Sequence, residues 1–455
     1  MSQANPAANA LGTEKVSKLM VKFAIPTIIS LVINSLYNMV DQVFIGRGVG
    51  YLGNAATNVI LPLNTLHMAI LMMIGDGAAA YMSLRMGHGD SEKAANGIGN
   101  AVTLTVVIGV LYTILCEIFM VPLCQYFGAT DNSMPYALEY GRIIALGYVF
   151  VSIDIAFGSM IRADGRPNQN MYGLLIGCVT NLILDPLFIF VFDMGVAGAA
   201  WATVIGQLLN AFYFVWCMFR FKTIRLKKEH FIPKLPVCYR VATLGTSSFI
   251  LQAALVLVMA TMNNVLKKYG ELSVYGPDIP LAALGITMKV SQLVTQVAVG
   301  IASGIQPIYG YNYGCGNYNR VKKTYKLAMV TSTIFLTVAL VVFQLFPEPI
   351  INLFGQESEL YMQYAVKCFR IYLLGTFMVG VNAVTGVFFQ SIGKSIQSAL
   401  LSLSRQIILL VPGLMILGTL TGVEGLLWAG PISDIVAGVL SLIMAKVYWK
   451  RVFPV

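Results

Sequence analysis

The chain has 455 residues, of which 57% are hydrophobic and only 11% are charged. Globular domains carry about 25% charged residues, so this composition excludes a water-soluble fold and indicates a chain that lies largely in lipid. The net charge of +10 would suggest nucleic acid in a soluble protein, but here the basic residues lie in short loops between apolar runs, which indicates membrane topology and no nucleic-acid partner.

The apolar residues fall into twelve segments, each long enough for the roughly 20 residues that a bilayer crossing needs. The first 18 residues are polar and lack a cleavage site, so the first apolar segment is expected to act as an uncleaved anchor. The turn at Asp193–Gly195 separates the fifth segment from the sixth. The predicted spans are residues 22–46, 52–84, 94–121, 136–161, 170–192, 195–219, 240–266, 278–309, 321–346, 361–389, 395–420 and 424–449.

Twelve spans place both termini on one side of the membrane. Lysine and arginine number 22 on that side and three in the loops of the opposite side, and five more lie within or at the ends of spans. Because positively charged loops stay in the cytoplasm, both termini are predicted to be cytoplasmic, with the protein in the cytoplasmic membrane of a bacterium or archaeon.

The longest basic stretch, RFKTIRLKKEHFIPK at 220–234, divides the chain near its middle. We therefore predict an N-terminal lobe of helices one to six at residues 1–220, a cytoplasmic linker at 221–239, and a C-terminal lobe of helices seven to twelve at 240–455. The linker is expected to contact anionic lipid headgroups.

The two halves of the chain repeat at an offset of 227 or 228 residues. The most specific match pairs MGVAGAAWATVI, which begins at Met194, with TGVEGLLWAGPI, which begins at Thr421. Gly165 recurs as Gly393, and the register holds over more than a hundred residues. Since each half has an even number of spans, the halves share one membrane orientation and are predicted to form two pseudo-twofold lobes with a path between them, the plan of many secondary transporters.

Three stretches carry a family resemblance that covers essentially the whole chain: NSLYNMVDQVFIG at 34–46, IRADGRPNQNM at 161–171 and NLILDPLFIFVFDMGVAGAAWATVIGQ at 181–207. They resemble the MATE family, the multidrug and toxic compound extrusion transporters. The resemblance implies twelve helices in two lobes, the MATE fold. It also implies outward export of small organic cations, coupled to inward flow of protons or sodium ions.

The resemblance also indicates a branch of the family. One branch carries acids on the seventh and tenth helices, where this chain has only amides such as Gln252 and Asn382. The DinF-like branch uses a cluster in the N-terminal lobe, which this sequence matches by motif at Asp41, Asn181, Asp185 and Thr203. The resemblance thus implies a DinF-like transporter whose coupling cation binds at these four residues.

Read without the resemblance, the acids within the spans point to the same lobe. A charged side chain at mid-bilayer costs about 2.5–3.5 kcal/mol on insertion scales, so each must face a cavity or a partner. Asp41 and Asp185 lie on helices whose polar residues share one face, and a third polar stripe follows Thr203. Such carboxylates and amides can hold a sodium ion, or a buried carboxyl group can carry a proton, and the sequence does not choose between these two ions. The stripes could alternatively serve as hydrogen bonds between helices.

Further polar residues are predicted to line the cavity as auxiliary residues: Asn34, Tyr37, Asn38, Asp154, Gln207 and Asp434. The repeat maps Asp185 to Pro412 and Thr203 to Gly430, so cation coupling is expected in one lobe only. It maps Asp434 to Gln207, which makes Asp434 a candidate for the one acid of the C-terminal cavity. Asp76, between two glycines, is expected to have a cavity or packing role.

The sequence thus predicts a cation-coupled antiporter that works by alternating access, needs no cofactor beyond its coupling ion and, apart from a sodium ion at the four coupling residues, holds no metal. A flippase of lipid-linked saccharides or an exporter of one metabolite are the alternatives. An intramembrane enzyme is a remote alternative, because the three histidines lie far apart in the sequence, at His67, His88 and His230, and no hydrolase motif occurs. The protein is expected to be a monomer that contacts membrane lipid and small organic cations.

Overall fold

The computed structural model describes residues 6–49, 51–127, 129, 131–276, 278–352 and 359–452, and almost all of them are helical. The helices are α1 (Pro6–Thr13), α2 (Val16–Gly48), α3 (Tyr51–Gly87), α4 (Ser91–Tyr126), α5 (Met134–Ala163), α6 (Pro167–Pro186), α7 (Gly195–Met218), α8 (Leu235–Glu271), α9 (Asp278–Gly304), α10 (Gln306–Gly314), α11 (Tyr318–Leu345), α12 (Pro347–Asn352), α13 (Glu359–Tyr372), α14 (Thr376–Ser391), α15 (Ser395–Leu403) and α16 (Val411–Val452). This confirms the predicted all-α membrane fold.

Eleven helical stretches of the described chain are long and apolar enough to cross a membrane. The last of them, Ser395–Arg451, has 57 residues, roughly 85 Å of helix, which is far more than one crossing needs. Its backbone leaves the helical conformation at Gly422, with φ 67° and ψ −149°, a region that is essentially restricted to glycine. The predicted spans 395–420 and 424–449 lie on the two sides of this break, so the stretch accommodates both.

The backbone repeats in the register that the sequence predicts. Three pairs of glycines with positive φ are related by an offset of 227 or 228 residues: Gly89 with Gly316 (80° and 74°), Gly165 with Gly393 (82° and 81°), and Gly195 with Gly422 (56° and 67°). The third pair marks the break in α16 and the start of α7, next to Asp193, whose own φ is 53°. The two halves therefore match in the conformation of their turns as well as in sequence.

The two halves meet in the part of the molecule that holds the basic loops, which we call the basic side. Here α3 lies against α8 and α10, and α2 lies against α9. The contacts are between backbones: a Cβ on Gly245 would lie 1.7 Å from the Met73 carbonyl oxygen, and one on Gly304 would lie 2.8 Å from the Ala24 Cα. The lobe limits at residues 220 and 240 stay a prediction, but the seam between α2–α7 and the later helices is defined by these close approaches.

The basic linker is bound to the N-terminal half rather than extended over the surface. The Asn100 side chain on α4 donates to the His230 carbonyl at 3.0 Å, and Thr103 donates to the Phe231 carbonyl at 2.6 Å. The Asp164 carboxylate accepts bonds from the Thr223 backbone and hydroxyl at 2.9 and 2.6 Å. Helix α8 begins at Leu235, earlier than the predicted limit of 239, because a proline fits its first turn.

Candidate cation site

The four predicted coupling residues come together between three helices of the N-terminal half. Asp41 lies on α2, Asn181 and Asp185 lie one turn apart on α6, and Thr203 lies on α7, and all four are buried. The Asn181 side-chain amide donates to the Thr203 hydroxyl at 3.0 Å. Just beyond Asp185, Pro186 ends the regular helix and a π-helical turn, Leu187–Val191, follows. Proline lacks the donor that a helix interior needs, and π-helical turns are frequent at functional sites.

The carboxyl groups of Asp41 and Asp185 are neighbours, close enough to interact with each other electrostatically. Four buried oxygen atoms around them accept no hydrogen bond from the described residues: Oδ1 of Asp41, both carboxylate oxygens of Asp185, and Oδ1 of Asn181. Buried polar atoms almost always have a partner. A cluster of four acceptors without donors is therefore the arrangement that a bound cation or proton would complete.

The electrostatics lead to the same requirement. Among the described residues, no lysine or arginine forms an ion pair with Asp41 or Asp185. Two adjacent carboxylates in a low-dielectric interior cannot both stay ionised and uncompensated. The repulsion can be relieved in two ways, by a proton shared between the carboxyl groups or by a small cation such as sodium that binds the free oxygens.

Two tyrosines complete the walls of this site. Tyr37, predicted as an auxiliary residue, approaches the Thr203 hydroxyl and lies close to both carboxyl groups. Tyr140 on α5 lies close to the same two carboxyl groups. Nothing in the sequence indicated Tyr140, because its position depends on how α5 packs against α7 and α6.

The remaining auxiliary residues of the N-terminal half divide into two groups. Asn38 is exposed, and its amide donates to the Asn34 carbonyl oxygen at 2.7 Å and to the Asn34 side chain at 3.3 Å, so these two residues bond to each other along α2. Asp154 lies beside Asn210, and Gln207 lies on the same helix as Asn210. Asp154 Oδ1 and Gln207 Oε1 are buried without a hydrogen-bond partner in the described structure. This second group extends the polar interior from Thr203 toward the basic side.

Asp434 is not a lone acid. The Arg405 guanidinium donates to its carboxylate at 2.6 Å, and both side chains are largely buried. The repeat offset places Arg405 where Cys178 stands in the first half and Asp434 where Gln207 stands. The C-terminal half thus carries its own neutralised pair, and the prediction of Asp434 as the one acid of that cavity did not include Arg405.

Asp76 joins the two halves through a network that the sequence did not reveal. Its carboxylate accepts hydrogen bonds from Ser159 and from Ser248, both at 2.8 Å, and the Arg162 guanidinium lies 3.8 Å away. Ser248 belongs to α8 and in turn accepts a bond from Gln390 at 3.0 Å. This network crosses the seam on the basic side.

Comparison with known proteins gives consistent matches over the full length. The multidrug export protein MepA of Staphylococcus haemolyticus is 23% identical over 430 residues, which cover 93% of this chain and 92% of MepA. MepA of Staphylococcus aureus is 21% identical over 437 residues, with 96% and 95% covered. A solved structure described as the outward-facing conformation of a multidrug resistance MATE family transporter aligns with a TM-score of 0.92 at 21% identity, covering 99% of each chain. A crystal structure of a MATE protein in complex with MaD3S gives the same values.

The fold, the apolar helices and these matches define a membrane transporter and not an enzyme. A family model described as MatE matches residues 26–187 and 248–415, which is more than half of the chain. The chain belongs to this family, the MATE transporters, as its three characteristic stretches predict.

Proposed function

We propose that this chain is an antiporter that exports small organic cations, and that a proton or a sodium ion binding at Asp41, Asn181, Asp185 and Thr203 drives the export. The observation that carries the proposal is the cluster of four buried oxygen atoms without hydrogen-bond donors around two adjacent carboxyl groups. The match of these four residues to the DinF-like motif supports placing the chain in that branch of the family.

The substrate class is supported by the relatives, since MepA is a multidrug export protein and the chain aligns with it over nearly its whole length. The route we propose is alternating access between the lobes, with the basic side in the cytoplasm. In the described structure the lobes are in contact on the basic side, which supports assigning this structure to the state in which substrate leaves outward.

The alternatives have less support. A flippase for lipid-linked saccharides would present arginines to bind phosphate within its path. In this chain the interior Arg405 is bound to Asp434 instead, and the buried site of the N-terminal half is acidic. An exporter of a single metabolite would use the same coupling site and differ only in its substrate.

The proposal is tested with purified protein in proteoliposomes, measuring efflux of a fluorescent organic cation under an imposed proton gradient and, separately, an imposed sodium gradient. Wild type should respond to one of the two gradients. Asp41→Asn and Asp185→Asn should each abolish the response, because either change removes a charge that the coupling cation neutralises. Asp131→Asn, the same chemical change at an exposed loop position, should behave as wild type. Full gradient-driven efflux in both site variants would contradict the assignment.

A further inference from the structure

A cavity of about 330 Å³ opens at the basic side between the two halves of the molecule. The first half contributes Tyr81 and Arg85 from α3 and His88 from the turn that follows this helix. The second half contributes Arg240 from α8 and Lys394 from the turn between α14 and α15. We call it the seam pocket, and its volume matches the lower range of small-molecule sites.

The charged residues of the seam pocket are of one sign. Two arginines and a lysine line it, beside the imidazole of His88, and none of its lining residues is acidic. The nearest carboxylate in an ion pair with the pocket is that of Asp90, whose Oδ2 lies 3.6 Å from Arg85. Asp90 is also bound by Lys93 at 3.0 Å, and this hydrogen bond lowers the pKa of Asp90. One carboxylate thus serves two cations, and the pocket keeps an excess of positive charge.

The cations of the second half lack even this compensation. No ion pair within the described part of the chain involves Arg240 or Lys394, and both side chains are exposed. Arg85 lies with its guanidinium 5.2 Å from the centre of the Tyr81 ring, which holds it at the wall of the pocket. The His88 ring nitrogen Nδ1 lies 2.7 Å from the Leu84 carbonyl oxygen.

The pocket lies beside one of the closest approaches between the lobes. A Cβ on Gly87 would lie 2.7 Å from the Gly314 Cα, and one on Gly314 would lie 2.5 Å from the Leu84 carbonyl oxygen. Because the basic groups come from both sides of this contact, they converge only while the lobes are closed on the basic side. Separation of α3 from α8 and α10 would divide the set into two halves.

We propose that the seam pocket binds a phosphate-bearing anion and that this anion stabilises the state in which the lobes are closed on the basic side. Arginine presents a fork of donors that matches phosphate oxygens, and basic pockets between membrane helices on the cytoplasmic side recognise anionic headgroups. The phosphate belongs to a lipid headgroup or to a soluble phosphate compound, since both present the same chemistry at this depth. A ligand that binds one of two states more tightly shifts the population toward it, so the anion makes opening of the basic side less favourable.

The site is tested on the full-length protein in two arms. In nanodiscs of neutral phosphatidylcholine, pyrophosphate is titrated by calorimetry. In nanodiscs that also contain phosphatidylglycerol, with no phosphate in the buffer, retained lipid is counted by native mass spectrometry. Arg240→Gln with Lys394→Gln removes the two unpaired cations, and Lys326→Gln is the control because it removes an exposed charge on the same side, outside the pocket.

We expect wild type and Lys326→Gln to bind in at least one arm, and the double variant to bind at least about tenfold more weakly, as expected for the loss of charged hydrogen bonds. Binding in the lipid arm alone identifies a headgroup, and binding in the pyrophosphate arm alone identifies a soluble anion. Absence of binding in both arms, or equal binding by the double variant and the control, would overturn the proposal. These readouts need no transport, so their result is independent of the cation-coupling assignment.

Discussion

The hydrogen bond from Ser248 to Asp76 offers the most direct test of how the lobes are held together on the basic side. The Ser248 hydroxyl, in the second half, donates to the Asp76 carboxylate of the first half at 2.8 Å, and it accepts from Gln390 of its own half at 3.0 Å. This single hydroxyl thus connects the two lobes. Ser248→Ala removes this link but leaves the Ser159 bond to Asp76 within the first half. The substitution should therefore weaken the seam without disturbing the fold of either lobe.

The expected shift of the closed–open equilibrium follows from the groups that this hydrogen bond joins. A hydrogen bond to a charged group contributes about 1.5–3 kcal/mol. The Asp76 side chain is 15% exposed, so water can partly replace the lost hydroxyl, and the lower end of the range applies. About 1.5 kcal/mol corresponds to a roughly tenfold shift of the equilibrium from closed to open on the basic side.

The assay is a distance measurement by pulsed electron paramagnetic resonance between spin labels at Lys93 in the first half and Lys323 in the second, both exposed, with the exposed Cys315 replaced by serine. We expect Ser248→Ala to increase the long-distance population about tenfold. The matched control is Ser247→Ala, because the neighbouring Ser247 hydroxyl is buried without a hydrogen-bond partner in the described structure. An unchanged distance distribution in Ser248→Ala, or an equal shift in both variants, would refute the assignment of this bond to the closed state.

Three further outcomes are expected. Thr203→Val removes the hydroxyl that accepts from Asn181 and should weaken binding of the coupling cation about fivefold, roughly 1 kcal/mol, as measured by radioactive sodium binding or by proton release; unchanged affinity would exclude Thr203 from the site. Arg405→Met leaves the buried carboxylate of Asp434 without its partner and should lower the free energy of unfolding by about 3 kcal/mol, whereas Arg405→Met with Asp434→Leu should restore most of it, so an equally unstable double variant would argue against the pair. Gly422→Ala forces a side chain onto a φ of 67° and should destabilise the protein by about 1–3 kcal/mol in thermal unfolding, while Gly285→Ala, in open space within a helix, should not.

The crossing helices could be predicted because the bilayer imposes their length and composition. The turn at Asp193–Gly195 is a case in point, since the positive φ of Asp193 and Gly195 occurs where the sequence divides two apolar runs. The grouping of Asn181 with Asp185 was also readable, because residues four apart share a helix face. The packing of α6 against α2 and α7 could be predicted only from the family motif.

Contacts between lobes were not readable from the sequence. Asp76 and Ser248 are separated by 172 positions, and nothing in either local pattern indicates the other. Arg405 and Asp434 could have been paired, since they are opposite charges within the apolar runs of one half and only 29 positions apart. No sequence pattern distinguished Tyr140 as a site residue. The chain has 22 tyrosines, and only packing brings this one near the carboxyl groups.

The two halves of the molecule differ in how their buried charges are compensated. At equivalent repeat positions the second half has Arg405 and Asp434, an ion pair that needs no external charge, where the first half has Cys178 and Gln207. The first half instead holds Asp41 and Asp185, two carboxyl groups whose negative charge can be reduced only by a proton or a cation from outside. Within the described residues, the buried acid of the second half thus has a basic partner, whereas the two buried acids of the first half have none. Since a carboxyl pair without a basic partner changes its charge when an ion binds, the coupling that we propose belongs to the first half.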